Sequence, residues 1–290
     1  MLPLIALQAA ALAAPAPVPA SPAPVVAPAS APAVTVPAAP VLGEKPNAVS
    51  IKTDDKLLLK ASYFAPRSKK KQSPAALLLH DQGRTRTELD TLAAYLNKRG
   101  FAVLTLDLRG HGESANADAD FEKADDKAKA NLWNLAGRDV RAAAEFLTDQ
   151  DGVHSTNLSI VGFGSAASLA VRRAVDDENV RAVVLVDPEL ETYEYDVQDG
   201  VNELGGLPTM VLTTKKGEDT AKGLRSAAHD ANGGLEYVDV AVMKCAPDEL
   251  LEDKRPAAAR AAGSATRRCR RSRRYRAQCD SSPGVIRHPV

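Results

Sequence analysis

The sequence predicts an α/β fold: a mainly parallel, eight-stranded sheet with helices on both faces and no large cap domain. Between residues 48 and 253, short β-branched or leucine-rich runs alternate with segments of helical character. That alternation is the order of βα units feeding a parallel sheet. The runs "AALLL", "FAVLTL" and "RAVVLV" are continuous and largely apolar, as strands must be when helices cover both of their faces. Polar and glycine residues gather where four of these runs end, and ligands of parallel α/β sheets bind beyond the carboxyl ends of the strands.

Taken in order, strands are expected near 48–52, 57–65, 75–80, 101–107, 157–162, 181–186, 208–213 and 235–242. Helices are expected near 87–99, 131–149, 165–176 and 218–230. The first two strands read as a hairpin turning at "TDDK", a short polar turn between two strand-like runs. "SKKKQ" at 68–72 reads as a solvated loop, and "ANADADFEKADDKAKA" at 115–130 as an exposed polar loop that leads into a helix and could cover a site as a small lid. Only about twenty residues separate the sixth and seventh expected strands, too few for a large cap.

Outside this region the composition changes. Residues 1–13 are a short apolar run with a small-residue Ala-x-Ala site, similar to a secretory leader but without a basic start. Residues 14–46 are almost all Ala, Pro and Val, a composition that favours an extended linker. The folded domain is expected over 47–253. From Lys254 to Val290 there are eleven Lys and Arg against one acid, Asp280, while the whole chain is neutral, so this tail is a separate basic segment. It has no strand or helix periodicity. A shift of reading frame near 244–255 is one account of it. These features together predict an exported protein. The arginine cluster of the tail could bind polyanions without specificity, but no nucleic-acid partner is expected. The three cysteines, Cys245, Cys269 and Cys279, have no metal-ligand or redox spacing, so no metal or cofactor is implied.

The strand ends carry the chemistry. "LLLHDQGR" spans 77–84, "LTLDLRGHGES" 104–114, "IVGFGSA" 160–166 and "VLVDPE" 184–189. Over roughly residues 48–253 these motifs and their order resemble the α/β-hydrolase family. The resemblance implies a serine acyl-enzyme that hydrolyses esters or related acyl bonds, with a small ester-like molecule as ligand. "LLLHDQG" falls where the family has a His-Gly loop, here His80, Asp81, Gln82 and Gly83. "DLRGHG" supplies the next loop, with Arg109, Gly110, His111 and Gly112. "LSIVGFGSAASLAV" falls where the family has its G-x-S-x-G nucleophile elbow.

The elbow is a sharp turn between strand and helix, so residues two places either side of its tip must be small. A tip at 164 puts Gly162 and Ala166 in those places, whereas a tip at Ser165 would put Phe163 in the tight position. The register therefore places Gly164 at the tip, and the nucleophile's hydroxyl is lost. The backbone N–H groups of Gln82 and Ser165 would then form the oxyanion hole. Ser165 is the candidate nucleophile that is left. Asp187 and Asp219 are candidates for the acid, although Asp219 could simply open the following helix. The family's base histidine should follow the last strand, yet "LEYVDVAVMKCAPDELLED" contains none. The leading expectation is a family member with impaired or absent catalysis. An active esterase using Ser165 and a noncatalytic ligand-binding protein are the alternatives. Gly162, Gly164 and Ala167 also satisfy G-x-G-x-x-A, with Asp187 ending the next strand, so dinucleotide binding is a further alternative.

Overall fold

A computed structural model of the protein describes residues 46–67 and 72–243. Residues 1–45, read above as a leader-like segment and a linker, the Lys-rich segment 68–71, and residues 244–290 with all three cysteines lie outside these residues.

The chain runs β1 (Asn47–Lys52), β2 (Leu58–Phe64), β3 (Ser73–Leu79), α1 (Asp90–Lys98), β4 (Ala102–Leu106), α2 (Asp126–Thr148), β5 (Val153–Phe163), α3 (Ala166–Asp176) and β6 (Val180–Val186). A two-residue ribbon, β7 (Glu191–Thr192) with β8 (Tyr195–Asp196), and a short helix α4 (Val197–Glu203) follow. The described chain closes with β9 (Thr209–Thr213), α5 (Glu218–Ala231) and β10 (Val238–Val242). Eight strands form one sheet in the order β1-β2-β4-β3-β5-β6-β9-β10. The β1–β2 and β2–β4 pairs are antiparallel, and all others are parallel. The eight strands and four helices expected from the sequence occur in the expected order along the chain, including the hairpin, whose turn closes with Lys56 N–H donating to Thr53 O at 3.0 Å.

Side chains alternate along each inner strand into two cores. Leu77, Leu79, Leu104, Ile160 and Leu185 pack with α2, α3, α4 and α5, while Leu78, Val103, Val161 and Val184 pack with α1. Two-sided burial is the physical cause of the apolar runs in the sequence. Two differences from the sequence expectation stand out. Helix α2 begins five residues earlier than expected, because Asp125 caps it by accepting from Ala128 N–H at 2.8 Å. The ribbon and α4 were not expected. They fill the connection between β6 and β9 and leave no cap domain among the described residues.

The loop after β4 is fixed by buried ions. The Arg109 guanidinium donates to Asp139 on α2 at 2.6 Å and to Asp55 in the hairpin turn at 2.9 Å. Arg109 N–H donates to the same Asp139 carboxylate at 2.9 Å. Nearby, buried Arg86 pairs with Asp107 and with Glu113. Four segments, the hairpin turn, the stretch after β3, the loop after β4 and α2, are thus locked together. Because Asp139 is fully buried, Asp139→Ala leaves the buried guanidinium with Asp55 as its one remaining carboxylate partner. Urea denaturation should show a loss of about 3–5 kcal/mol, the usual cost of breaking a buried pair. An unchanged midpoint would show that Arg109 is held by something else.

Candidate functional site

The site lies at the carboxyl ends of β3, β5 and β6. β5 ends at Phe163 and α3 begins at Ala166, so only Gly164 and Ser165 make the turn. Gly164 adopts φ +52°, a left-handed conformation that glycine takes without steric cost. A Cβ on Gly162 would lie 2.5 Å from the carbonyl oxygen of Ala166. Strand and helix therefore approach closely enough that only glycine fits at 162. Ala166 is fully buried on the opposite side of the turn. Ser165 is right-handed helical, fully buried, and stands at the start of α3 rather than at the tip.

Asp81 reaches this turn from the loop after β3. Its Oδ1 accepts three hydrogen bonds: from Gln82 N–H at 2.8 Å, Ser165 N–H at 2.9 Å and Ser165 Oγ–H at 2.6 Å. Gln82 N–H also points at Ser165 Oγ, 3.2 Å away. The Gln82 and Ser165 amides are thus brought together, and what they face is a carboxylate of the chain itself. A Cβ built on Gly164 would lie 2.2 Å from Asp81 Oδ2 and 2.5 Å from Oδ1. The Gln82 side chain is held from the other direction, its Oε1 accepting from Tyr193 Oη–H at 3.1 Å.

The histidines of the two loop motifs contact backbone. His80 is buried, with Nδ1 2.8 Å from Asp81 O and Nε2 accepting from Leu108 N–H at 3.1 Å. The amide can only donate, so Nε2 carries no proton and Nδ1–H donates to the carbonyl. Burial, helped by the adjacent His111 ring, pushes the His80 pKa down to about 4. His111 is buried too, stacks on Phe121 at 4.3 Å, and has Nδ1 3.0 Å from Arg109 O. Burial lowers its pKa as well. Phe121 anchors the polar 115–130 loop in the core. Gly83, Gly110 and Gly112 lie in the turns of the same two loops, with Gly110 O accepting from Phe121 N–H at 2.9 Å. Arg109 is buried in the ion cluster of α2, away from the elbow.

A cleft of about 330 Å³ opens beside the turn, lined among others by His80, Asp81, Arg84, Gly164, Asp187 and Glu189. Asp187 follows β6 with φ +46°, and its Oδ1 accepts from Thr213 Oγ1–H at 3.0 Å and Thr214 N–H at 3.3 Å. Burial, and the neighbouring Asp81 charge, raise the Glu189 pKa. Asp219 sits in the first turn of α5 and does not line the cleft. His154 opens β5 and His229 lies on α5 beside Asp230; neither lines the cleft, and His288 is outside the described residues. His80 is the one described histidine on the cleft wall, and both of its nitrogens are engaged. No group of three or more His, Cys, Asp or Glu able to hold a metal occurs among the described residues.

The residue that sequence reasoning missed is Asp81 as a side chain. The motif placed it in the loop but assigned the oxyanion hole to backbone alone. The available signal was a pair of exchanges: an acid where the family loop has glycine, opposite a glycine where the family elbow has serine.

The model of the alpha/beta hydrolase family matches residues 76–287, nearly three quarters of the chain. The chain belongs to the α/β-hydrolase family. Solved structures agree on the fold. An esterase from Pyrococcus furiosus superposes with a TM-score of 0.61 at 15% identity, over 78% of this chain and 92% of that one. The alpha/beta hydrolase GrgF from Penicillium sp. sh18 gives 0.57 at 13% identity, over 77% and 99%. Dipeptidyl peptidase 4 from Porphyromonas gingivalis gives 0.56 at 15% identity, over 77% of this chain but 35% of that longer one. No curated protein matches the chain in sequence.

The neutral His80 of this hydrolase fold makes a pH test. Its folded pKa lies below the ordinary value of 6.5, so the unfolded chain binds the proton more readily. The stability it contributes is complete above pH 6.5 and is lost as pH falls from there to about 4. The loss is of the order of 3 kcal/mol. Ring-proton NMR should show that the His80 ring stays neutral above pH 5. All described histidines titrating near 6.5 would contradict the assignment.

Proposed function

We propose that this α/β-hydrolase-family chain performs no serine acyl transfer and is a cleft-bearing, noncatalytic member of its family. The observation that supports this best is the state of Ser165. It is the one hydroxyl on the turn, it is fully buried on the first turn of α3, and its proton is donated to the Asp81 carboxylate. Acyl transfer through a serine needs three things at once: an exposed hydroxyl at the tip, a base to take its proton, and free donors for the developing oxyanion. Here the tip is Gly164. The cleft histidine spends Nε2 on Leu108, and both amide donors are occupied. Asp187, the candidate acid after β6, has no imidazole beside it among the described residues other than that of His80, whose two nitrogens are engaged.

The same contacts weigh against dinucleotide binding through Gly162, Gly164 and Ala167. A pyrophosphate would need the amides at the start of α3, where the Asp81 carboxylate already lies. Asp81, Asp187 and Glu189 on the cleft wall would also repel it.

A fluorophosphonate probe tests this reading. The protein should remain unlabelled beside a working serine esterase labelled in parallel, p-nitrophenyl esters should stay intact, and Ser165→Ala should behave as the parent does. NAD should leave the melting temperature unchanged. Labelling that disappears in Ser165→Ala would establish an active serine and overturn the proposal.

A further inference from the structure

We propose that the Asp81 side chain is a built-in oxyanion: its carboxylate fills the hole that would receive the acyl oxygen, and Gly164 is the partner residue that gives it room. The proposal rests on the reading above that this turn does no acyl chemistry, and adds what the site does instead.

The geometry has two independent parts. First, Oδ1 sits 2.8 and 2.9 Å from the amide nitrogens of Gln82 and Ser165. Those distances are the ones at which an oxyanion hole grips a tetrahedral intermediate. The Ser165 hydroxyl adds a third donor at 2.6 Å. Charge-assisted hydrogen bonds of this kind are short and strong, and the N-terminal end of α3 favours a negative charge at that point. Second, the whole carboxylate lies within 2.2–2.5 Å of where a Cβ on residue 164 would be. A side chain at 164 and the Asp81 carboxylate cannot occupy the turn together. A carboxylate that merely caps α3 would show the first feature without the second.

The consequence is a closed anion site. In the parent protein the Gln82 and Ser165 amides are not vacant for a carboxylate or a tetrahedral adduct. Removing the carboxylate alone should expose those donors and create a pocket for a small carboxylate. Formate, which is little more than the missing group, is the probe. Thermal unfolding of the full chain tests this with five proteins: the parent, Asp81→Ala, Asp81→Asn, Gly164→Ala, and Asp81→Ala combined with Gly164→Ala.

Asp81→Ala should lower Tm by roughly 5–10 °C, as expected when buried donors lose a charged acceptor. Sodium formate at about 100 mM should return at least half of that shift through ligand linkage, where sodium chloride does not. Asp81→Asn keeps the hole filled and should show no response specific to formate, as should the parent. Gly164→Ala should cost several degrees more with Asp81 present than in the Asp81→Ala background, because only the first combination brings the two side chains together.

Formate acting no better than chloride on Asp81→Ala would overturn the proposal. So would an equal cost of Gly164→Ala in both backgrounds. If Asp81→Ala is unfolded in chloride, recovery of its circular dichroism in formate supports the proposal and continued unfolding in formate overturns it. These results are separable from the catalytic test. Probe labelling of Ser165 would overturn the noncatalytic reading, whereas an unlabelled protein without formate rescue would leave that reading standing and remove only the role of Asp81.

Discussion

Asp81 Oδ1 accepts hydrogen bonds from two backbone amides and one hydroxyl that belong to two different connections of the sheet, the loop after β3 and the turn after β5. Hydrogen bonds to a charged acceptor contribute about 1.5–3 kcal/mol each, and a buried amide left without a partner costs about 1–3 kcal/mol. The contact therefore ties the neighbouring β3 and β5 at their functional ends. It also dictates the conformation around it. Gly164 must lack a side chain, Ser165 must turn inward, and Gln82 must present its amide to the same oxygen.

The rest of the domain positions that contact. Burial of the carboxyl-terminal halves of β3, β4, β5 and β6 on both faces holds the strand ends in fixed register. The close approach of Gly162 to Ala166 sets the angle at which α3 leaves the sheet. The Arg109–Asp139–Asp55 cluster pins the loop after β4, whose Leu108 amide in turn fixes the tautomer of His80. His80 then holds the carbonyl of Asp81 through Nδ1. A chain of hydrogen bonds thus runs from the buried ion cluster to the elbow. A histidine that in another setting could serve as a base is here a clamp on backbone.

Much of this was legible in the sequence, for a physical reason. Strands buried on both faces must read as apolar runs, so β3, β4 and β6 were legible in "AALLL", "FAVLTL" and "RAVVLV". The tip of the elbow was legible because Phe163 could not occupy the place that Gly162 does. What could not be read is equally specific. The residues from 187 to 203 are too short and polar for a strand or helix pattern, so α4 and the β7–β8 ribbon were missed. The start of α2 depends on a single cap at Asp125 inside a uniformly polar segment. The role of Asp81 depends on which way one side chain turns. Composition does not encode that direction, although the exchange of residue sizes between positions 81 and 164 leaves a trace of it.

The most direct test of the central contact is NMR measurement of scalar coupling across hydrogen bonds in protein labelled with carbon-13 and nitrogen-15. If the Asp81 carboxylate fills the hole, the amide nitrogens of Gln82 and Ser165 both correlate with one side-chain carboxyl carbon, that of Asp81, and both amides exchange slowly. If neither amide couples to that carbon and both exchange freely with solvent, the hole is open and the account of this site is wrong.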